Sequence, residues 1–261
     1  MGSLSWIPKT DKIKKLNCKS TLQVTKMKIL SLDTSATVAS VAVTNDATPL
    51  AHYTLNAKNT HSETLLPMIE SALKALSLKP SDIDLFALSA GPGSFTGVRI
   101  GAATVKGLAF ASNKPCIEVS TLEALAQNLV FKTGLICPVM NARRSQVYTA
   151  LFRSNGKELE RLMPDSALSI EELDEILSQY GEPISLVGDG YEITEKDFSK
   201  TELYYVPEAL RLQSALSVSA IALKKYESGE LSTDASLSVN YLRPSQAERE
   251  RAEREEANKN K

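Results

Sequence analysis

The sequence predicts an α/β fold in two lobes, each built on a mixed sheet flanked by helices. Three observations predict it. The stretch after residue 26 reads as three strands joined by connections too short for crossover helices, hence an antiparallel meander. From there to residue 130 the patterns alternate as βββαβαβα, the order of a mixed sheet with helices packed on it. After a break near Phe131 to Gly134, strand signals start again at Leu135 and run on with helices to Tyr226.

The first strand ends at Asp33 in the β-branched run "KILSLDTSATVASVAVTND", the second spans about Val38 to Thr44, and Pro49 to Asn56 is the third. In "NTHSETLLPMIESALKALSLKP", Leu65, Ile69, Leu73 and Leu76 share one helical face, with Met68, Ala72 and Ala75 beside it. Thr60 with Glu63 matches a capping box, which leaves Pro67 inside the helix; a start at Thr64 puts Pro67 in the first turn instead. Both starts stay open. "DIDLFALSA" (Asp82 to Ala90) is a strand, the glycine-rich segment continues as a helix to about Ala111, "CIEVS" is a strand and "STLEALAQNLV" a helix capped by Ser120 or Thr121. In the second half, Leu135 to Met140 and Val147 to Phe152 read as strands, Ile170 to Gln179 and Leu212 to Tyr226 as helices, and "ISLVGDG" as a strand and turn. No internal repeat is visible.

Composition narrows the function. A formal net charge of −1 gives no electrostatic case for gripping nucleic acid as the main task. Aromatic residues at 6% are too few for an extended base-stacking platform. Cys18, Cys116 and Cys137 lie far apart with no CxxC pair, which argues against a disulfide framework or zinc knuckle and suits the cytosol. The two histidines, His52 and His61, are not at i,i+4 spacing, so a histidine-pair metal site is not expected. No apolar run approaches the roughly 20 residues of a membrane span. Residues 1–26 carry six lysines against one aspartate without hydrophobic periodicity and read as a disordered extension or leader. Residues 244–261 read as a solvated helical tail, eight of the nine residues from Glu248 to Glu256 being charged. The expected partition is therefore 27–130 for the first lobe and 131–243 for the second.

The segment "GPGSFTGVRIGAATVKGLA", Gly91 to Ala109, poses the functional question. It lacks the lysine of a Walker loop, and Gly91, Gly93 and Gly97 give GxGxxxG rather than the dinucleotide fingerprint. Backbone N–H groups at the helix start could still bind an anion. The alternative, which the spacing favours, is packing: Gly93, Gly97 and Gly101 recur every four residues and leave a strip on which another backbone can lie close.

Taken together, "ILSLDTSATVASVAV", "HSETLLPMI", the GPGSFTGVR block and "NARRSQVY" resemble the TsaB (YeaZ) family, over Met27 to about Arg243. The resemblance implies the actin-like, Hsp70-like ATPase fold and a non-catalytic role in placing threonylcarbamoyl on adenosine 37 of tRNA. It implies a homodimer, or a heterodimer with the catalytic paralogue TsaD, in a complex with the ATPase TsaE that alone brings tRNA. The implied partner surface is His61, Glu63, Leu65, Leu66, Met68, Ile69 and Leu73 on one helix, with Gly93, Gly97, Arg99, Gly101, Thr104 and Val105 on the next, the glycines making room for the partner. Catalytic relatives hold a metal through HxxxH; here Leu65 stands four residues after His61, so no metal site and no M22-type peptidase activity is implied. Asp33, Thr34 and Ser35 match the first phosphate loop of actin-like ATPases, although the family's kinases usually have glycine where Thr34 stands; capping of a β-turn by Asp33 and Ser35 is the plainer reading. "VGDG", Val187 to Gly190, is a weak match to the opposite lobe's loop. Asn141 and Gln146 replace an aspartate and a glutamate of the usual motif, leaving Arg143 and Arg144 as its charged residues. The expectation is a cytoplasmic scaffold subunit needing no cofactor of its own, with room for ATP and magnesium at the complex interface. Its rival is a small-molecule kinase or ATPase, which needs intact nucleotide loops in both lobes.

Overall fold

The computed structural model describes residues 26–57 and 59–243. The expected basic extension and charged tail lie outside the described residues, apart from Lys26. Two five-stranded sheets carry the fold. In the first, β1 (Lys28–Asp33), β2 (Ala39–Asn45) and β3 (Thr48–Leu55) form the antiparallel meander, and β4 (Leu85–Ser89) and β5 (Cys116–Val119) add on parallel to β1, in the order β3-β2-β1-β4-β5. The second repeats this plan. Its β6 (Gly134–Asn141), β7 (Gln146–Ser154) and β8 (Leu159–Ser169) are an antiparallel meander, with β9 (Ile184–Val187) and β10 (Leu203–Tyr204) parallel on the other side of β6. The described residues thus hold one βββ-plus-two-parallel-strand unit built twice.

The helices are α1 (His61–Ala75), α2 (Phe95–Ser112), α3 (Thr121–Gln127), α4 (Ile170–Ser178), α5 (Tyr191–Asp197), α6 (Glu208–Arg211) and α7 (Ala215–Glu227). The helix α1 begins at the Thr60 cap, where the Glu63 carboxylate accepts from Thr60 N–H (3.3 Å) and Oγ1 (2.9 Å). Pro67 therefore lies inside the helix, on its exposed side. The apolar face formed by Leu65, Ile69, Ala72 and Leu73 is buried on the first sheet, and the burial of such side chains outweighs one missing helical bond. Among the described residues no helix is long and apolar enough to cross a membrane.

Two helices pack across the halves of the chain. The helix α3 packs on the second sheet through Leu122, Leu125 and Ala126, whereas α7 returns to the first sheet with Val218, Ile221 and Ala222. Helical periodicity gives each an apolar face but does not say which sheet it covers. The sequence reading also missed β8, β10, α5 and α6. Of these β8 is the longest, an edge strand of 11 residues that carries Pro164, which an edge tolerates because one row of backbone groups is unpaired.

Candidate functional site

The glycine strip of α2 meets this chain's own first loop. A Cβ added at Gly97 would lie 2.0 Å from Thr34 O, one at Gly93 would lie 2.4 Å from Ser35 O, and one at Gly101 would lie 2.6 Å from Thr34 Oγ1. Hydrogen bonds lock the approach: Ser94 N–H donates to Ser35 O (2.7 Å) and Thr34 Oγ1 donates to Gly97 O (2.8 Å). Close packing is thus the right physical reading of the spacing, but the backbone that fills the strip is internal. The expectation that these three glycines make room for a partner is corrected accordingly.

Four other residues of the expected partner surface belong to the core. Leu65, Ile69, Leu73 and Val105 are 1%, 3%, 5% and 0% exposed and pack on the first sheet, so they are covered before any partner arrives. His61 is half-buried and its Nε2 donates to Ala36 O at 2.7 Å. Glu63 is spent on the α1 cap, Thr104 donates to Ile100 O, and Met68 is half-buried at the edge of the core. Exposed Arg99 donates from Nε to Tyr241 Oη at 2.8 Å. What the pair of helices presents outward is Leu66, 58% exposed, and Phe110, 75% exposed. Phe110 was missed; its signal was an aromatic residue off the apolar face of α2.

The second feature is the cleft between the lobes, about 550 Å³ in volume. The first loop and the start of α2 line one wall with Ser35, Thr37, Ser94 and Thr96; Asn141, Arg143 and Asp189 line the other. The structure therefore brings the DTS and VGDG segments to one cavity. Asp33, however, is 1% exposed and turned inward: it accepts from Ser35 N–H (2.9 Å) and Oγ (2.6 Å) and from Ser89 Oγ (2.5 Å). Burial raises its pKa, against the pull of those three bonds. With both carboxylate oxygens engaged and Thr34 Oγ1 given to Gly97, this loop does not fit a magnesium–phosphate group; it is a capped turn. The NARRSQVY segment is the β6–β7 turn, with Arg143 N–H donating to Asn141 Oδ1 (2.8 Å) and Arg143, Arg144 and Ser145 all at positive φ.

Asp189 is exposed on the cleft, where partial desolvation by the neighbouring walls raises its pKa from 3.8 to about 6. A carboxyl with a raised folded-state pKa holds its proton more tightly folded than unfolded. Its contribution is fully present below 3.8 and is lost as pH rises through about 6. Asp189→Asn is expected to flatten the dependence of melting temperature on pH in that window, by a small amount because solvent screens this exposed carboxyl. An unchanged slope would contradict this assignment.

Comparison with known proteins decides the family. Residues 50–245 match the family model described as TsaD, tRNA N6-adenosine threonylcarbamoyltransferase. Relatives include the tRNA threonylcarbamoyladenosine biosynthesis protein TsaB of Bacillus subtilis, 36% identical over 162 residues, which are 62% of this chain and 71% of the relative. TsaB of Escherichia coli is 37% identical over 52% of this chain and 62% of its own length. The chain belongs to the TsaB (YeaZ) branch of this family. A solved structure of YeaZ from Pseudomonas aeruginosa superposes with a TM-score of 0.73 at 26% identity, covering 83% of this chain and 100% of that one. The two-lobed architecture implied by the TsaB resemblance is the one observed.

Proposed function

We propose that this TsaB-family chain is a non-catalytic subunit in the threonylcarbamoylation of adenosine 37 of tRNA, supporting a TsaD-type catalytic partner in the cytoplasm. One observation carries the non-catalytic half of the reading. At the place of the second histidine in the catalytic HxxxH, Leu65 is sealed in the core, and the remaining imidazole, His61, is held by the Ala36 carbonyl. One tethered imidazole is not a metal site. The outward faces of α1 and α2, with Leu66 and Phe110, supply the docking surface, either for the catalytic subunit or for a second copy of this chain. A TsaE-type ATPase joins the complex, tRNA comes only through it, and this subunit needs no cofactor of its own; any ATP and magnesium sit at the complex interface.

The test is reconstitution. The purified chain is expected to modify no tRNA, to cleave no protein and to give no heat on titration with ATP and magnesium. Co-expression with the catalytic subunit should yield a co-purifying pair that forms threonylcarbamoyladenosine once the ATPase is added. Metal-dependent turnover by the chain alone, abolished by His61→Ala, would overturn the reading.

A further inference from the structure

The last described residues join the two lobes and end at the cleft, which Arg243 lines. Leu237 and Val239 pack in the core of the first lobe, while Leu242 packs against the core of the second. Between them Asn240 N–H donates to Ala90 O at 2.8 Å. The strap runs so close to the first lobe that a Cβ at Gly91, whose φ is +107°, would lie 2.3 Å from Asn240 O. The Tyr241 ring then stacks on Phe95 at the start of α2, centroids 4.6 Å apart and planes 5° from parallel. The Arg99 guanidinium lies 5.4 Å from one ring centroid and 5.6 Å from the other. Finally Arg243 crosses to the second lobe, lining the cleft and donating from Nη1 to Ala142 O at 3.2 Å.

We propose that residues 240–243 are an interlobe latch, in which the Tyr241–Phe95 stack anchors the strap to α2 and Leu242 with Arg243 holds the β6–β7 turn at a fixed cleft opening. Elsewhere the lobes are joined through α3, α7 and Ala36 of the first loop, contacts about which a hinge motion can turn. The latch engages α2 at Phe95 and Arg99, on the helix that also presents Phe110. It therefore ties the separation of the lobes to the proposed docking helix, and to that extent it builds on the proposed function; the latch itself does not need it.

The experiment reads the lobe separation directly. Spin labels on Ser81→Cys and Gln179→Cys, one exposed position per lobe, are placed in a Cys18→Ser background, because Cys116 and Cys137 are buried. The unsubstituted latch is expected to give one narrow distance distribution. Tyr241→Ala with Arg243→Ala should broaden it, with the open population rising about tenfold or more for the loss of two hydrogen bonds and one aromatic stack. Leu237→Ala, which removes packing within the first lobe only, should lower the melting temperature and leave the distribution narrow. Arg243→Ala alone serves should the double variant fail to fold. An unchanged distribution in the latch variants would overturn the proposal, as would equal broadening by Leu237→Ala. Failure to bind a catalytic subunit would bear on the proposed function and not on the latch.

Discussion

Gly97→Ala is expected to destabilise the monomer by about 2 kcal/mol or more, even though alanine is the better helix former by roughly 1 kcal/mol. The new methyl would lie 2.0 Å from the Thr34 carbonyl oxygen, and that oxygen belongs to backbone held by the Thr34–Gly97 and Ser35–Ser94 hydrogen bonds. Neither side can rotate away as a flexible side chain would. Calorimetry should show a melting temperature lower by about 4–8 °C for a chain of this size. Gly107 on the same helix is the control. Nothing lies within 4 Å of an added Cβ there, so Gly107→Ala should stabilise by up to about 1 kcal/mol. Equal melting temperatures for the two variants would refute the internal packing of the strip. The same geometry places Gly101→Leu against Thr34 Oγ1, so that substitution should disrupt the monomer rather than only its association.

The second large effect falls on assembly. Phe110→Asp and Leu66→Asp replace side chains 75% and 58% exposed, so each should leave the monomer's stability within about 0.5 kcal/mol of the parent. Binding to the catalytic subunit, or self-association in sedimentation, should weaken by about thirtyfold or more, as for an interface anchor worth at least 2 kcal/mol. Leu65→Asp is the contrast. One residue along the helix and 1% exposed, it puts an unpaired charge into the first core and should unfold the protein. Full assembly by both exposed-site variants would move the docking surface away from α1 and α2.

The legible parts of the site were the local ones. Thr60 and Glu63 offered one of the two open starts of α1, and the capping box that forms is local because it depends on groups three residues apart. Asp33 with Ser35 read as a turn cap because the bond spans two residues, and it forms at 2.6 Å between the side chains. The NARRSQVY segment read as a turn between strands, and it joins β6 to β7. The partner surface was only partly legible. Leu65, Ile69, Leu73 and Val105 have the spacing of a helix face, yet the spacing of a face buried against a partner and that of a face buried against the chain's own sheet are identical. Phe110 carried little periodic signal, since one exposed aromatic residue does not make a face.

The succession of most strands and helices, the family motifs and the break in the metal-ligand pair were all readable from the residues alone, because each rests on groups within a turn or two of one another. What covers each face was settled by the tertiary structure alone: that the glycines at and before the start of α2 receive Thr34 and Ser35, 58 to 67 residues away in the chain, that α3 covers the second sheet and α7 the first, and that Arg243 reaches the cleft wall at Ala142. Periodicity is a property of one element, whereas the identity of its neighbour is set by how all elements together bury the most apolar surface with their backbone groups satisfied.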